Sequence, residues 1–305
     1  MRDPSTEMQH LVSRGYQQNF ANAEKRVAVI DARSGRLVAS DRPIKSNFAA
    51  PGFITHLDAT GEANGWLERE FGRVEKRALD QIRRITIGSR RPLELSAVVA
   101  LMALHLVRSR AYAEFHDEIL EQTRREEASI LVGDPRLQTM HLKQLGMPAT
   151  EESIQQLIDR WAADSVRTKS GLVESMSRQY NALAVKLSAF RVQVISARKL
   201  GSGFAIGDNP VVHADTTTGR IGFRDRLAIG DSNLIMAPLT RWTAAALSAR
   251  HVPSVEVRTK KVLQRINAAT IRGADAEVAC HPDDAREVRR VCEHIADFPI
   301  ERLLS

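Results

Sequence analysis

Two cysteines in 305 residues, Cys280 and Cys292, are too few for a disulfide framework or a self-contained zinc site, and they read as small core residues. Aromatic residues make up only 5% of the chain, but 43% is hydrophobic, enough to bury one large core or two small ones. No apolar run approaches the roughly 20 residues of a membrane span. The opening stretch "MRDPSTEMQHLVSRGYQQNF" lacks the apolar centre of a signal peptide, so a cytoplasmic protein with no membrane partner is expected. Also absent are a phosphate-binding loop ending in Gly-Lys-Ser, a nucleophile elbow, a His-Glu-x-x-His pair and a dinucleotide fingerprint. "GSGFAIG" is rich in glycine, but its spacing does not fit a Rossmann turn, and a strand rather than a helix follows it.

What is present begins with charge. Forty-four Lys and Arg against 37 Asp and Glu give a net charge of +7, which favours a nucleic acid or another polyanion as partner. Most bases alternate with acids, as in "REFGRVEKRALDQIRR", the pattern of a solvated helix face. A compact basic patch requires arginines from separate segments, and Arg83, Arg84, Arg90 and Arg91 with Arg198 and Lys199 are the candidates.

The periodicity alternates between two and 3.6 along the chain. "RVAVIDARSGRLVAS" predicts a hairpin turning at Ser34-Gly35. Helical spacing follows over Glu62–Ile87 and Leu93–Glu127, with Pro92 at a first-turn position. Two more helices are expected over 151–167 and 171–190, Thr150 capping the first. "FRVQVISARKLGSGFAIGDNPVV" predicts a second hairpin turning at Gly201–Gly203, and "NLIMAPLTRWTAAALS" one or two strands. "RTKKVLQRINAATIRGA" reads as a helix stopping at Gly273, "AEVACH" as a strand and "PDDAREVRRVCEHI" as a closing helix. The expected class is therefore α+β: a mixed or antiparallel sheet from N- and C-terminal hairpins, covered by a central helical region. One domain over residues 1–305 accommodates this, with 62–190 as an alternative helical lobe.

Helical phase separates carboxylates that face inward from those that do not. Leu67, Phe71, Val74, Ala78, Ile82 and Ile85 form one apolar face, and Asn64, Glu68 and Glu75 lie at its edge. On the next helix His105, Ser109, Tyr112 and His116 share the apolar face, with Arg108 at its edge. An unpaired buried charge is costly, so these groups form either a catalytic cleft or structural ion pairs such as Arg108 with Glu68 or Glu75. A similar choice attaches to "GFAIGDNPVV". Pro210 removes a backbone donor and biases Asn209 toward extended geometry, so the strand should end with the Asp208 carboxylate at its tip, for chemistry or for an Asx turn.

The order of "HLVSRGYQQNF", a hairpin, "ANGWLEREFGRVE", "LVRSRA", "FAIGDNPVV", "IMAPLTRW" and "RINAATIRGA" resembles the bacterial family known as domain of unknown function 4238. The resemblance spans nearly the whole chain. His10, Tyr16, Asn19, Phe20, Glu68, Glu75, Arg108, Asp208, Asn209 and Pro210 fall on its pattern. Leu11, Ser13, Gly15 and Gly207 depart from it, standing where Tyr, Pro, Phe and Ser are typical. The family supplies positions and implies no reaction.

The leading expectation is a metal-dependent phosphodiesterase or nuclease-like hydrolase. His10, Glu68, Glu75 and Asp208 would carry the catalysis, with Asp208 and Glu68 holding Mg²⁺ or Mn²⁺. Arg108, Asn209 and Asn64 would bind substrate. Two helical turns, roughly 10 Å, separate Glu68 from Glu75, so one ion binds at most one of them directly. The alternative is a non-catalytic module for nucleic acid or protein, its polar residues forming a structural network. The first hairpin is expected beside the Asp208 strand, bringing His10 to the carboxylates.

Overall fold

The first strand is three residues long, β1 (Met8–His10), and it pairs antiparallel with β4 (Ala49–Pro51). Between them run the short helix α1 (Arg14–Gln17) and the expected hairpin, β2 (Arg26–Asp31) and β3 (Leu37–Pro43). A computed structural model describes residues 8–51, 56–57, 63–64, 66–86, 94–163, 169–248 and 259–303. Pro92, Arg90 and Arg91 lie outside the described residues.

After the two-residue pair β5 (His56–Leu57) and β6 (Ala63–Asn64), the 3.6-residue spacing becomes α2 (Trp66–Thr86), which buries Leu67, Phe71, Ala78 and Ile82 as its phase requires. The expected long second helix is instead two, α3 (Leu95–Val107) and α4 (Arg110–Gly133). Ser109 breaks it: its hydroxyl accepts the Tyr112 N–H at 3.0 Å, so an N-cap wins over continuation. Next comes α5 (Pro135–Gln144), between the helices expected over 93–127 and 151–167. Its start is nonetheless written in Asp134-Pro135, an N-cap carboxylate followed by proline in the first turn. Then come α6 (Glu151–Ala163) and α7 (Lys169–Ser188), Thr150 Oγ1 accepting the Ser153 N–H at 3.2 Å as expected of a cap. Apolar nearly all round, α3 is buried between α2 and α7. Among the described residues no single helix is long and apolar enough to cross a membrane.

The C-terminal part supplies β7 (Arg191–Ser196), β8 (Ile206–Gly207), β9 (Val212–Asp215), β10 (Arg220–Ile221), β11 (Leu234–Thr240), β12 (Thr243–Ser248) and β13 (Glu277–Cys280). Two antiparallel sheets result, ordered β10-β9-β11-β12-β7 and β3-β2-β13-β8. The class is α+β, and N- and C-terminal strands share the second sheet. The predicted hairpin between β7 and β8 does not form, because the two strands belong to different sheets. Beyond the turn the amides are taken elsewhere: Phe204 N–H donates to Arg241 O at 2.7 Å and Ala205 N–H to Asn267 Oδ1 at 3.0 Å. Helix α8 (Lys260–Gly273) packs on β8, β9 and β13, and α9 (Ala285–Glu293) on β2.

Two departures from the family pattern meet close packing. A Cβ on Gly15 would stand 2.8 Å from Leu79 Cδ1, and one on Gly207 2.9 Å from the Ala274 Cβ. At Gly207 the neighbours are a Cβ and backbone, so glycine lets β8 lie on the end of α8, whereas at Gly15 the end of the Leu79 side chain could move aside.

One polar junction ties these layers together. Asp208, at the end of β8, accepts the N–H groups of Asp275, Ala276 and Glu277 at 2.7, 2.9 and 3.3 Å. Asp275 Oδ2 in turn accepts the Ala111 N–H in the first turn of α4 at 3.3 Å. Burial, and then the Asp208 charge, push the Asp275 carboxyl up to about 6, against the opposing pull of Arg224. A carboxyl raised by folding stabilises the fold below its unfolded pKa near 4 and loses that contribution as pH rises through about 6. Asp275→Asn is therefore expected to raise the unfolding free energy by about 1–3 kcal/mol near pH 8 and to change it little near pH 4, measured by urea denaturation at both pH values.

Candidate functional site

Four of the expected residues meet. His10, Glu68, Glu75 and Arg108 line a cavity of about 320 Å³ together with Ser13 and Arg14. Glu68 and Glu75 stand two turns apart on one face of α2, and His10 comes from β1, which β4 holds in register at Ala49. Arg108 is the residue at which α3 ends, its φ and ψ of −91° and 12° already outside the helix. The break between α3 and α4 thus sets a buried guanidinium beside two carboxylates.

Arg108 Nη1 donates to Glu75 Oε1 at 3.3 Å, and Nη2 lies 3.8 Å from Glu68 Oε1. Both ion pairs weighed from the sequence are formed by this one side chain, whose fork reaches across the two helical turns. Arg108 is only 5% exposed, yet its Nε–H has no hydrogen-bond partner. Burial raises the Glu75 carboxyl above its ordinary range, opposed by Arg108 and by a hydrogen bond from the Ser13 hydroxyl. His10 moves the other way: burial, helped by Arg14 and Arg108 and opposed by the Lys45 carbonyl and Glu68, lowers it and favours the neutral ring. Its Nε2 faces the Lys45 carbonyl at 3.1 Å, an atom that only accepts, so Nε2 carries the proton and Nδ1 keeps a lone pair.

Ser13 and Arg14 were missed as site residues. Their signal was the departure at Ser13 itself: where the family pattern has proline, this chain has an N-cap hydroxyl that accepts the Tyr16 N–H at 3.3 Å and also engages Glu75. Of the inward-facing histidines, His105 is a core residue stacked on Tyr16 at 5.2 Å, and burial lowers its pKa to about 3.

Asp208 stands apart from this cavity. The N-terminal hairpin and the Asp208 strand share a sheet, but β13 lies between them, and His10 reaches Glu68 without reaching Asp208. The carboxylate makes no local Asx turn either; it caps backbone amides 67 to 69 residues further on. Asn209 is buried beside it and does not line the cavity. Asn64 sits in β6, its side chain outside the described residues. Asp208 and Glu68, the expected metal pair, are thus in different places. Among the described residues no group of three or more His, Cys, Asp or Glu is arranged to hold a metal ion.

A family model described as "Protein of unknown function (DUF4238)" matches residues 8–284. No curated protein and no solved structure matches the chain.

The placement of Asp208 predicts a stability defect. Asp208→Ala leaves three backbone donors without an acceptor and is expected to lower the unfolding free energy by about 2–5 kcal/mol. Asp208→Asn, which keeps one acceptor oxygen, should fall between the two in a chemical denaturation series. An unchanged midpoint for both would contradict a structural role.

Proposed function

The chain belongs to the family described as a protein of unknown function (DUF4238), a description that carries no reaction, and we propose from its cavity that it is a phosphodiester hydrolase. The carrying observation is Arg108: a buried guanidinium that lines the cavity, its Nη2 held only by a 3.8 Å contact with Glu68, is a ready contact for a phosphoryl oxygen. Arg14, exposed at the same cavity, adds a second cation. In this reading the two arginines hold the phosphate, and the neutral His10 takes a proton from water through Nδ1 as the water oxygen attacks phosphorus. The bond to the leaving oxygen breaks, and Glu75, whose carboxyl burial holds above its ordinary range, returns a proton to that oxygen. Glu68 holds Arg108 from the other side and accepts a hydrogen bond from Gln9 Nε2 at 3.2 Å.

This reading moves the chemistry from a metal to an acid–base pair. A Mg²⁺ or Mn²⁺ ion would have Glu68 as its ligand here without Asp208, so the divalent ion is an added component to be titrated in the assay.

Hydrolysis of bis(p-nitrophenyl) phosphate, followed with EDTA and with added Mg²⁺, tests the proposal. Glu75→Gln and His10→Ala should each lower kcat by about 10²–10⁴-fold. Activity should rise with pH as His10 loses its proton and fall as Glu75 loses its own, a bell-shaped profile whose acid limb His10→Ala removes. Strict dependence on the ion would replace the acid–base pair with a metal-centred mechanism. Absence of turnover on phosphodiesters of any size, with ligand binding intact, would leave the non-catalytic binding module as the account of this cavity.

A further inference from the structure

A second cavity, of about 550 Å³, opens among Asn19, Arg83, Thr86, Arg241, Trp242 and His281. We propose that it is a base-binding subsite for single-stranded nucleic acid, with a base stacked at Trp242 and the adjoining phosphate on Arg83 and Arg198.

Its parts fit that ligand individually. The half-buried Trp242 indole carries the Arg241 guanidinium 4.4 Å from its centroid, and Arg241 is fixed in turn by Asp284 at 2.8 and 3.1 Å. A platform held this way loses little freedom when a base stacks at it. Around it are groups suited to the edge of a base. Asn19 commits its amide nitrogen to the Leu239 carbonyl at 3.2 Å, which leaves its amide oxygen as an acceptor. His281 engages Asp283 through Nδ1, which leaves Nε2. Cations stand at the rim. Arg83 is 71% exposed and has only a 3.5 Å contact with Asp80, while Arg198 donates to the carbonyl of Thr86, a residue of the cavity wall. Two of the arginines flagged as a basic patch, more than a hundred positions apart in sequence, therefore meet at the end of α2.

The two cavities share their walls. Both are lined by the N-terminal segment, through His10, Ser13 and Arg14 in one and Asn19 in the other, and both are lined by α2. Gly72 and Arg83 are eleven residues apart, as are Glu75 and Thr86. Eleven residues is three turns plus about 20°, so each pair lies on one face at a separation of about 16 Å. That is a span of a few nucleotides of a single strand. A strand whose base sits at Trp242 would bring a nearby phosphodiester to Arg108. This last step rests on the phosphodiesterase reading, while the binding subsite itself does not.

The test is fluorescence anisotropy with a labelled single-stranded DNA roughly 12 nucleotides long, over a salt series, alongside a duplex of the same sequence. Trp242→Ala is expected to weaken binding about 5- to 150-fold, with Trp242→Phe restoring most of it. Arg83→Gln, an exposed change that leaves the core untouched, should reduce the log–log salt slope by about one even if Trp242→Ala fails to fold. Equal affinity of wild type, Trp242→Ala and Arg83→Gln, or duplex binding as tight as single-strand binding, overturns the proposal. Cleavage of the small diester by the wild type together with such indifference sinks this inference alone. Trp242-dependent binding with no diester cleavage sinks the phosphodiesterase reading alone.

Discussion

The constraint on which the rest depends is the burial of the Arg108 charge. A guanidinium cannot lose its protons to escape desolvation, so a chain that buries one must bring anions to it. Much of the local architecture meets that requirement. α2 spaces Glu68 and Glu75 so that both lie toward α3, α3 ends where Arg108 can reach them, and β1 with the start of α1 closes over the group. The N-terminal motif is therefore part of a charge-burying assembly, and His10 and Ser13 reach the cavity because the polypeptide that covers Arg108 carries them there.

The break between α3 and α4 is where two polar networks meet. Arg108, on one side of it, belongs to the cavity. Ala111, three residues on, donates its N–H to Asp275, whose own backbone N–H is held by Asp208. The first turn of α4 leaves its amides without helical partners, and the Asp275 carboxylate supplies one from the turn between α8 and β13. Asp208 fixes that turn, and the turn holds the start of α4 through Asp275, while the Ser109 cap ends α3. The Asp-Asn-Pro interruption exists to end β8 with a carboxylate in that position.

Much of this was legible in the sequence. Helical phase alone placed Glu68 and Glu75 at the edge of the buried face of α2 and suggested Arg108 as their partner, because phase depends only on local spacing. What local spacing cannot carry is competition. The Ser109 cap that splits the second helix competes with an unbroken apolar stripe, and the stripe is the louder signal. α5 has only Leu142 buried, so its weak apolar face hid a well-formed cap at Asp134-Pro135. The failed hairpin at Gly201–Gly203 has a different cause. Which sheet a strand joins is decided by partners such as β12 and β13, which lie downstream in the chain and whose pairing no local pattern encodes.

The same polar residues serve structure and chemistry, and what separates the two roles is saturation. Asp208 is saturated: its two oxygens accept three backbone donors, and nothing about it calls for a further ligand. Arg108 is not. Of its donors, Nη1 makes a hydrogen bond with Glu75, Nη2 has only a longer-range attraction to Glu68, and Nε has no partner, although the side chain is as buried as that of Asp208. A guanidinium kept only to hold α2 against α3 would gain stability by closing those bonds, and a carboxylate as exposed as Glu68 has the freedom to close one of them. The loosely held Nη2 of Arg108 beside the cavity is what the proposed phosphate contact rests on. That asymmetry between two equally buried charges separates Asp208, whose bonds are spent on the fold, from Arg108, on which the proposed site rests.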